Sequence, residues 1–366
     1  MSGTSLDGVD GVLADFDNGA IAVRQHASAP FSPALRSEFL ALNTPGGPDE
    51  LHRAALAANE LARTYSDLVA TLLSSAGLES SAVTAIGAHG QTVRHRPAEF
   101  DGVGYTLQLN NASLLAELSD IDVVADFRTR DLAAGGQGAP LVPAFHRALF
   151  GRPNDAVAVL NLGGIANLSL LPPTDGANGQ VFGFDCGPGN ALMDHWCRHH
   201  QGQAYDDGGQ WAASGRVLPE LLERLMAEPY FAKPPPKSTG RDLFNPRWLD
   251  AQLGAVARAD PADVQATLAE LTARSCADEL VRHGAACERL IVCGGGAFNA
   301  HLMGRLAALL PGIGVRSSAA HGLPPLQVEA AAFAWLARCT VRREPGSLAS
   351  VTGARGARVL GAIFPA

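Results

Sequence analysis

Three glycine turns and one carboxylate hold most of the chemistry this sequence offers. Gly3-Thr4-Ser5-Leu6-Asp7-Gly8-Val9-Asp10 combines glycines, hydroxyl donors and consecutive N–H groups that can form an anion nest. The same residues would also serve an ordinary hairpin turn. Asn161-Leu162-Gly163-Gly164-Ile165-Ala166-Asn167 sets a second glycine turn between two apolar strands. Ile291-Val292-Cys293-Gly294-Gly295-Gly296-Ala297-Phe298-Asn299 runs a strand into three glycines and then a helix. Such a junction lets a flat base or a phosphate lie against the backbone. Each turn alone is a weak signal; together they fit two turns pinching phosphates and a third receiving the nucleoside. Asp185, in Phe184-Asp185-Cys186-Gly187-Pro188-Gly189-Asn190, follows an apolar strand and precedes a helix expected near Asn190. A carboxylate at the C-terminal end of a strand can act as general base toward water or a hydroxyl. Its competing role is to cap the helix. His195 and His199 share a helix face but lack an HExxH glutamate and a third ligand, so a solvated basic helix end fits them better than zinc.

The elements that must position these residues alternate along the chain. Val12–Phe16, Ala20–Gln25, Val83–Ala88, Tyr105–Leu109 and Asp122–Phe127 read as strands, with the longest helical pattern from about Asp49 to Leu78. A second set follows: strands at Val157–Leu162, Ile165–Leu171, Val181–Phe184 and Arg289–Cys293, and helices near Ala191–His200, Pro219–Met226, Asp263–His283, Ala300–Leu310 and Pro325–Arg342. Each half opens with a strand–turn–strand meander and continues as β/α alternation, the pattern of two similar α/β lobes facing a cleft. The proline-rich stretch from Pro229 to Pro246 is expected to be a mobile insertion. Only Met1 precedes the first turn, so most of a first strand is expected upstream of an internal methionine start.

Composition removes several classes. Of 28 Lys+Arg only Lys233 and Lys237 are lysines, and neither sits in a Gly-Lys-Ser/Thr loop, which excludes a P-loop NTPase and leaves Schiff-base chemistry without a good candidate. The net charge of −8 argues against nucleic acid or an anionic membrane as partner. The six cysteines show no Cys-x-x-Cys pair and no export signal is visible, so the chain reads as cytoplasmic with free thiols.

The glycine turns, with His89-Gly90-Gln91-Thr92, Ala125-Asp126-Phe127-Arg128, Gly135–Pro140, Phe184–Asn190 and Lys237–Gly240, resemble the actin/hexokinase/Hsp70 superfamily of ATP-cleft proteins. More closely they resemble the anhydro-N-acetylmuramic acid kinase family of bacterial cell-wall recycling, in the family's order and across nearly the whole chain. The wider superfamily usually has an Asp two residues before its first Gly-Thr; Met1 stands there, which favours the narrower family. The resemblance implies a two-lobed actin/hexokinase-like, ribonuclease H-like α/β fold around an ATP cleft. Residues 1–150 plus 345–366 would form the first lobe and 151–344 the second.

It implies further that ATP, with Mg2+ carried in on it, contacts Gly3, Thr4, Ser5, Leu6, Asp7, Gly8, Val9, Asp10, Gly163, Gly164, Asn167, Gly294, Gly295, Gly296 and Asn299. Asp185 would deprotonate a water that opens the anhydro ring, with Glu329 as the second acid. His89, Gln91 and Thr92 would lie near the sugar. Arg128 and Arg130 offer a fork for the lactyl carboxylate or for ATP phosphates, or else neutralise Asp126 and Asp131. The product would be N-acetylmuramic acid 6-phosphate and ADP, in peptidoglycan recycling and amino-sugar catabolism. The role of Lys237–Arg241 stays open between substrate positioning, cleft closure and a homodimer contact. Two rivals remain: an ATP-independent anhydrosugar glycosidase, and a non-catalytic actin-like ATP-binding protein.

Overall fold

The computed structural model describes the chain apart from residues 4–5, 18–19, 176–178, 241, 255–258 and 285. Two compact units divide it: Met1–Leu149 with Gln327–Ala366, and Phe150–Leu326. The chain therefore returns to the first unit at Gln327, ahead of the 344/345 boundary expected from sequence. Packing explains the shift. Ala330, Phe333, Leu336 and Ala337, from helix Val328–Val341, share one core with Val124, Phe127 and Leu360. A helix apolar nearly all round carries no sequence mark of the sheet it covers.

In the first unit, β1 (Gly8–Asp17) and β2 (Ala20–Pro30) form an antiparallel hairpin with a bulge between Leu13 and Ala14. β3 (Ile86–Gly87) is followed by β4 (Gln91–Pro97) and β5 (Gly104–Leu109), which pair antiparallel as a second hairpin. β6 (Val123–Ala125) lies between β3, parallel to it, and the antiparallel C-terminal strand Ala362–Phe364. β4 has no apolar run to announce it, and its place is set by pairing with β5. Helix Glu50–Ala76 lays Ala57, Leu61, Tyr65, Leu68 and Leu72 along one buried stripe and stops where Gly77 takes φ 64°. A cavity of about 700 Å3 lies among β1, β3, this helix and helix Val328–Val341.

The second unit holds one five-stranded sheet. Its strands are β7 (Ala156–Leu162), β8 (Ile165–Leu171), β9 (Phe182–Pro188), β10 (Cys287–Cys293) and β11 (Gly314–Ser317), in the order β11-β10-β7-β8-β9. β7, β8 and β9 are antiparallel neighbours, whereas β10 runs parallel to β7 and β11 parallel to β10. This antiparallel meander with parallel additions is the ribonuclease H-like order that the resemblance implied. Helix Pro261–His283 is capped by Asp260, whose side chain accepts from Ala262 N, and buries Leu268, Leu271 and Leu280. Truncating a fully buried leucine such as Leu268 to Ala costs about 2–5 kcal/mol. Glu270 on the same helix is buried, and two hydrogen bonds from Arg305, at 2.7 and 3.1 Å, tie it to helix Ala300–Leu309.

The proline-rich stretch is not the free insertion that its composition suggested. Tyr230, Phe231 and Phe244 are buried in the core of the second unit. Among the described residues no helix is long and apolar enough to cross a membrane.

Candidate active site

Asp185 lies in the middle of β9, three residues before the strand ends, and not beyond its end as expected. It pairs in register with Asn167 on β8, so the two residues share one face of the sheet. The alternation of Phe184, Asp185 and Cys186 is a strand pattern, but the glycines and proline that follow hid its continuation. Its carboxylate does not cap the following helix. Oδ2 instead accepts from the Ser238 hydroxyl at 2.8 Å and from Thr239 N–H at 3.0 Å. The Asp185 backbone N–H donates to Lys237 O at 3.1 Å, and its carbonyl accepts from the Tyr230 hydroxyl at 2.7 Å. Burial pushes the Asp185 carboxyl above its ordinary range, while the bonds from Thr239 and Ser238 pull it down without cancelling the rise.

Two of the glycine turns meet around the segment that follows Asp185. Asn190 N donates to Gly163 O at 2.8 Å, Gly189 N to Gly164 O at 3.0 Å, and the Asn190 amide to Leu162 O at 2.9 Å. Gly294 has φ 78°, and a Cβ there would sit 2.8 Å from Leu162 O. A Cβ on Gly296 would meet Asn190 Oδ1 at 3.0 Å. These two glycines are thus required first by packing of one turn on another. Gly295 differs, since a Cβ there would meet nothing nearer than Asn190 Nδ2 at 3.7 Å, and its backbone is open to approach. Asn299 caps helix Ala300–Leu309, its Oδ1 accepting from Leu302 N at 2.9 Å. That oxygen is committed to the fold, a role its position before a helix signals.

In the first unit, Thr4 and Ser5 lie outside the described residues. The rest of that turn is tied down by Leu6 N donating to Gly3 O at 3.3 Å and by Asp10 N donating to Met1 O at 2.9 Å. Leu6 is buried at φ 58°, Val9 is buried, and Asp7 is exposed. Gly8 has a structural reason of its own, because a Cβ would press on Pro30 Cα of β2 at 2.8 Å.

His89 and Arg128 form one cluster. Arg128 Nε and Nη2 point at His89 Nε2 at 3.1 and 2.9 Å, and His89 Nδ1 lies 3.3 Å from Ser2 O. These contacts select the Nδ1–H tautomer, with Nε2 as acceptor. Burial, then the Arg128 charge, hold His89 well below its usual pKa, so it is neutral. Burial also brings Arg128 down to about 10, opposed by Glu329 and Asp131. Arg128 Nη1 donates to Gly138 O at 2.8 Å, and buried Asp131 accepts from Gly138 N and the Thr352 hydroxyl, both at 2.8 Å. The Gly135–Pro140 motif therefore braces Arg128. Arg130 is exposed, and Asp126 bonds to Thr129. Gln91 is buried with its Oε1 unpartnered, and Thr92 Oγ1 accepts from Gln108 at 3.2 Å.

Glu329 occupies the first turn of helix Val328–Val341, where the N-terminal end of the dipole favours a carboxylate. Surrounding protein pushes its carboxyl up and Arg128 pulls it down. The residue is nonetheless exposed, so the apolar faces of its helix do not enclose it.

A cavity of about 680 Å3 in the first unit is lined by His89, Gln108, Asn110, Asn111, Asp126 and Thr129 among others. Both amide atoms of Asn110 are buried without a partner. Sequence reading missed Asn110. Its one signal was the paired Asn110-Asn111 ending an apolar strand, which reads equally as a cap, and Asn111 does accept from Leu114 N. Ser238 and Thr239 were noticed as a motif, but nothing in the sequence pointed them at Asp185.

Comparison with known proteins gives a consistent set. A family model described as anhydro-N-acetylmuramic acid kinase matches residues 1–366. A protein of that name from Variovorax paradoxus (strain S110) is 71% identical over 368 residues, covering 100% of this chain and 98% of its own. One from Albidiferax ferrireducens is 62% identical over 382 residues, covering 100% and 98%. Among solved structures, the activator of 2-hydroxyisocaproyl-CoA dehydratase from Clostridium difficile with bound ADPNP aligns at TM-score 0.44 and 12% identity, covering 88% of this chain and 91% of that one.

Proposed function

The chain belongs to the anhydro-N-acetylmuramic acid kinase family, and from that premise we propose that it converts 1,6-anhydro-N-acetylmuramic acid, water and ATP to N-acetylmuramic acid 6-phosphate and ADP. Asp185 is the general base. It takes a proton from water, the water oxygen bonds to C1, and the C1–O6 bond breaks with its electron pair on O6. O6 then attacks the γ-phosphorus of ATP, and the bond to the β-phosphate oxygen breaks to release ADP. The chemistry would be that of an inverting glycosidase in which the γ-phosphoryl group, and not an acid's proton, captures the leaving oxygen. The observation that carries this reading is Asp185 itself. Its carboxylate is raised by burial and held on a sheet face by two donors. A base poised above the ordinary carboxylate range is better matched to proton abstraction near neutral pH.

The other roles follow by chemistry. Arg128, fixed by His89 and Gly138, supplies guanidinium N–H donors for the lactyl carboxylate, and Glu329 serves as the second acid. The amide-lined cavity beside His89 suits a neutral polyol bearing an acetamido group, with Asn110 offering a donor and an acceptor that the fold leaves unused. Backbone amides of the Gly163-Gly164 and Gly294–Gly296 turns receive ATP, in the absence of a P-loop lysine. Mg2+ is assigned to the ATP phosphates. Among the described residues no group of three His, Cys, Asp or Glu side chains stands together to hold it. A cytoplasmic location is supported by six buried cysteines that form no disulfide.

The test is to incubate the anhydro sugar with and without ATP-Mg and follow ADP and sugar phosphate. One ADP per sugar phosphate is expected. Ring opening without nucleotide would replace this reading by a glycosidase, and nucleotide binding with no sugar turnover by an ATP-binding protein.

A further inference from the structure

The Lys237–Gly240 segment is the one motif that the reaction above does not absorb. Its position along β9 gives it a definite relation to Asp185. Lys237 O accepts from Asp185 N, and the next two residues turn their donors onto the carboxylate. Among the described residues both side-chain hydrogen bonds go to one oxygen, Oδ2. Upstream, the segment is pinned from inside the protein. Lys237 Nζ lies 3.0 Å from Glu279 Oε1 in a pair whose side chains are 2% and 3% exposed. The same ammonium stands 4.9 Å from the Tyr230 ring, whose hydroxyl donates to Asp185 O. Arg282 and His283 reach Glu279 from the outer side of helix Pro261–His283.

We propose that Lys237–Gly240 is a positioning strap for Asp185. The buried Lys237–Glu279 pair fixes the strap's backbone, and the strap's Ser238 hydroxyl and Thr239 N–H clamp Oδ2, so that Oδ1 is the atom presented as proton acceptor. A carboxylate rotates easily about its Cβ–Cγ bond. Clamping one oxygen removes that freedom before the reaction and leaves the other oxygen's lone pair in a fixed direction. A lysine supplies the anchor because its flexible stem threads to a single point and its compact ammonium satisfies Glu279 there. The titratable groups near Asp185 are Tyr230, and Cys186 on the opposite face of the same strand, with Glu279, Lys237, Arg282 and His283 behind them and Lys233 over the Tyr230 ring. Each hydrogen bond to Oδ2 favours the ionised form.

This inference rests on Asp185 being the base, and the experiment separates the two. Full-length Ser238→Ala, Ser238→Thr, Lys237→Met, Lys237→Arg and Asp185→Asn are assayed for kcat and for KM of sugar and ATP from pH 5 to 9, with circular dichroism as a fold check. Ser238 is exposed, so its alanine variant is expected to fold. Its kcat should fall about tenfold and the acidic limb of kcat should move up by about one pH unit, with ATP KM unchanged. Ser238→Thr should restore both. Lys237→Met should move the limb the same way with a larger loss of kcat, and Lys237→Arg should recover part of it. An unmoved acidic limb in Ser238→Ala, or a loss expressed only in the sugar KM, overturns the strap, whether or not Lys237→Met folds. Full activity in Asp185→Asn overturns the base assignment instead.

Discussion

The two units steady opposite kinds of charged group with neutral partners. In the second unit a carboxylate is raised by burial and steadied by neutral donors, Ser238 and Thr239, with the only nearby buried cation, among the described residues, spent on Glu279. In the first unit a guanidinium is brought down by burial and steadied by neutral acceptors, His89 Nε2 and Gly138 O. One arrangement makes a proton acceptor and the other a fixed donor. Neither pairs its charge directly with an opposite charge, which would quench it. A buried charge held by neutral dipoles keeps its capacity to act on a ligand, whereas a buried ion pair is satisfied already. Lys237–Glu279 is the contrasting structural case in the second unit.

The comparison breaks most completely if Asp185 is not a base. Asp185→Asn keeps the hydrogen bonds to Oδ2 within reach but removes basicity, and kcat should fall by about 10³-fold or more, measured by ADP release with saturating sugar. A variant within tenfold of the parent would remove the second unit from the chemistry of water.

Arg128→Gln is next. The sugar kcat/KM should fall about 100-fold with the ATP KM unchanged, because a charged donor to a carboxylate is lost. A rise confined to the ATP KM would reassign Arg128 to the phosphates. Asn110→Leu, which fills similar volume without polar atoms, should raise the sugar KM about tenfold and leave kcat nearly unchanged. Steady-state kinetics with varied sugar decides this, and an unaltered KM would place the acetamido group elsewhere.

The smallest effect concerns stability and the neutral histidines. Burial lowers His146 to about 3, and His89 is also well below 6.5. The unfolded chain takes up protons at these side chains below about pH 6.5 while the folded one does not. Their contribution is therefore complete above that pH and is lost as pH falls, by up to about 1.4 kcal/mol per pH unit for each histidine. Urea unfolding at pH 7 and pH 5.5 measures it. Replacing His89 by Gln should flatten the slope by up to about 1.4 kcal/mol per pH unit, and an unchanged slope would mean that His89 is protonated in the folded protein.

Much of this was legible from local pattern. The long helix near 49–78, the β7–β8 meander around Gly163-Gly164 and the strand entering Gly294–Gly296 follow from apolar periodicity broken by glycine, and each appears within a few residues of its expected bounds. What was not legible depended on partners distant in sequence. β4 exists because β5 pairs with it; helix Val328–Val341 belongs to the first unit because Val124, Phe127 and Leu360 accept its side chains. The proline-rich stretch looked mobile because prolines deny it regular structure. Its order comes from buried Phe231, Phe244 and Lys237.

By itself the sequence determined which residue types could act: a carboxylate bordering an apolar run, glycine turns in place of a P-loop, arginines in place of lysines. Those follow from composition and spacing, which are local. Only the tertiary structure decided what each group faces. It turned Asn299 into a helix cap, gave Gly294 and Gly296 to turn packing, and left Asn110 without a partner. It also brought Ser238 and Thr239 onto Asp185 across more than fifty residues. Burial and hydrogen-bond geometry set protonation and direction. Both are properties of neighbours in space, which chain order does not state.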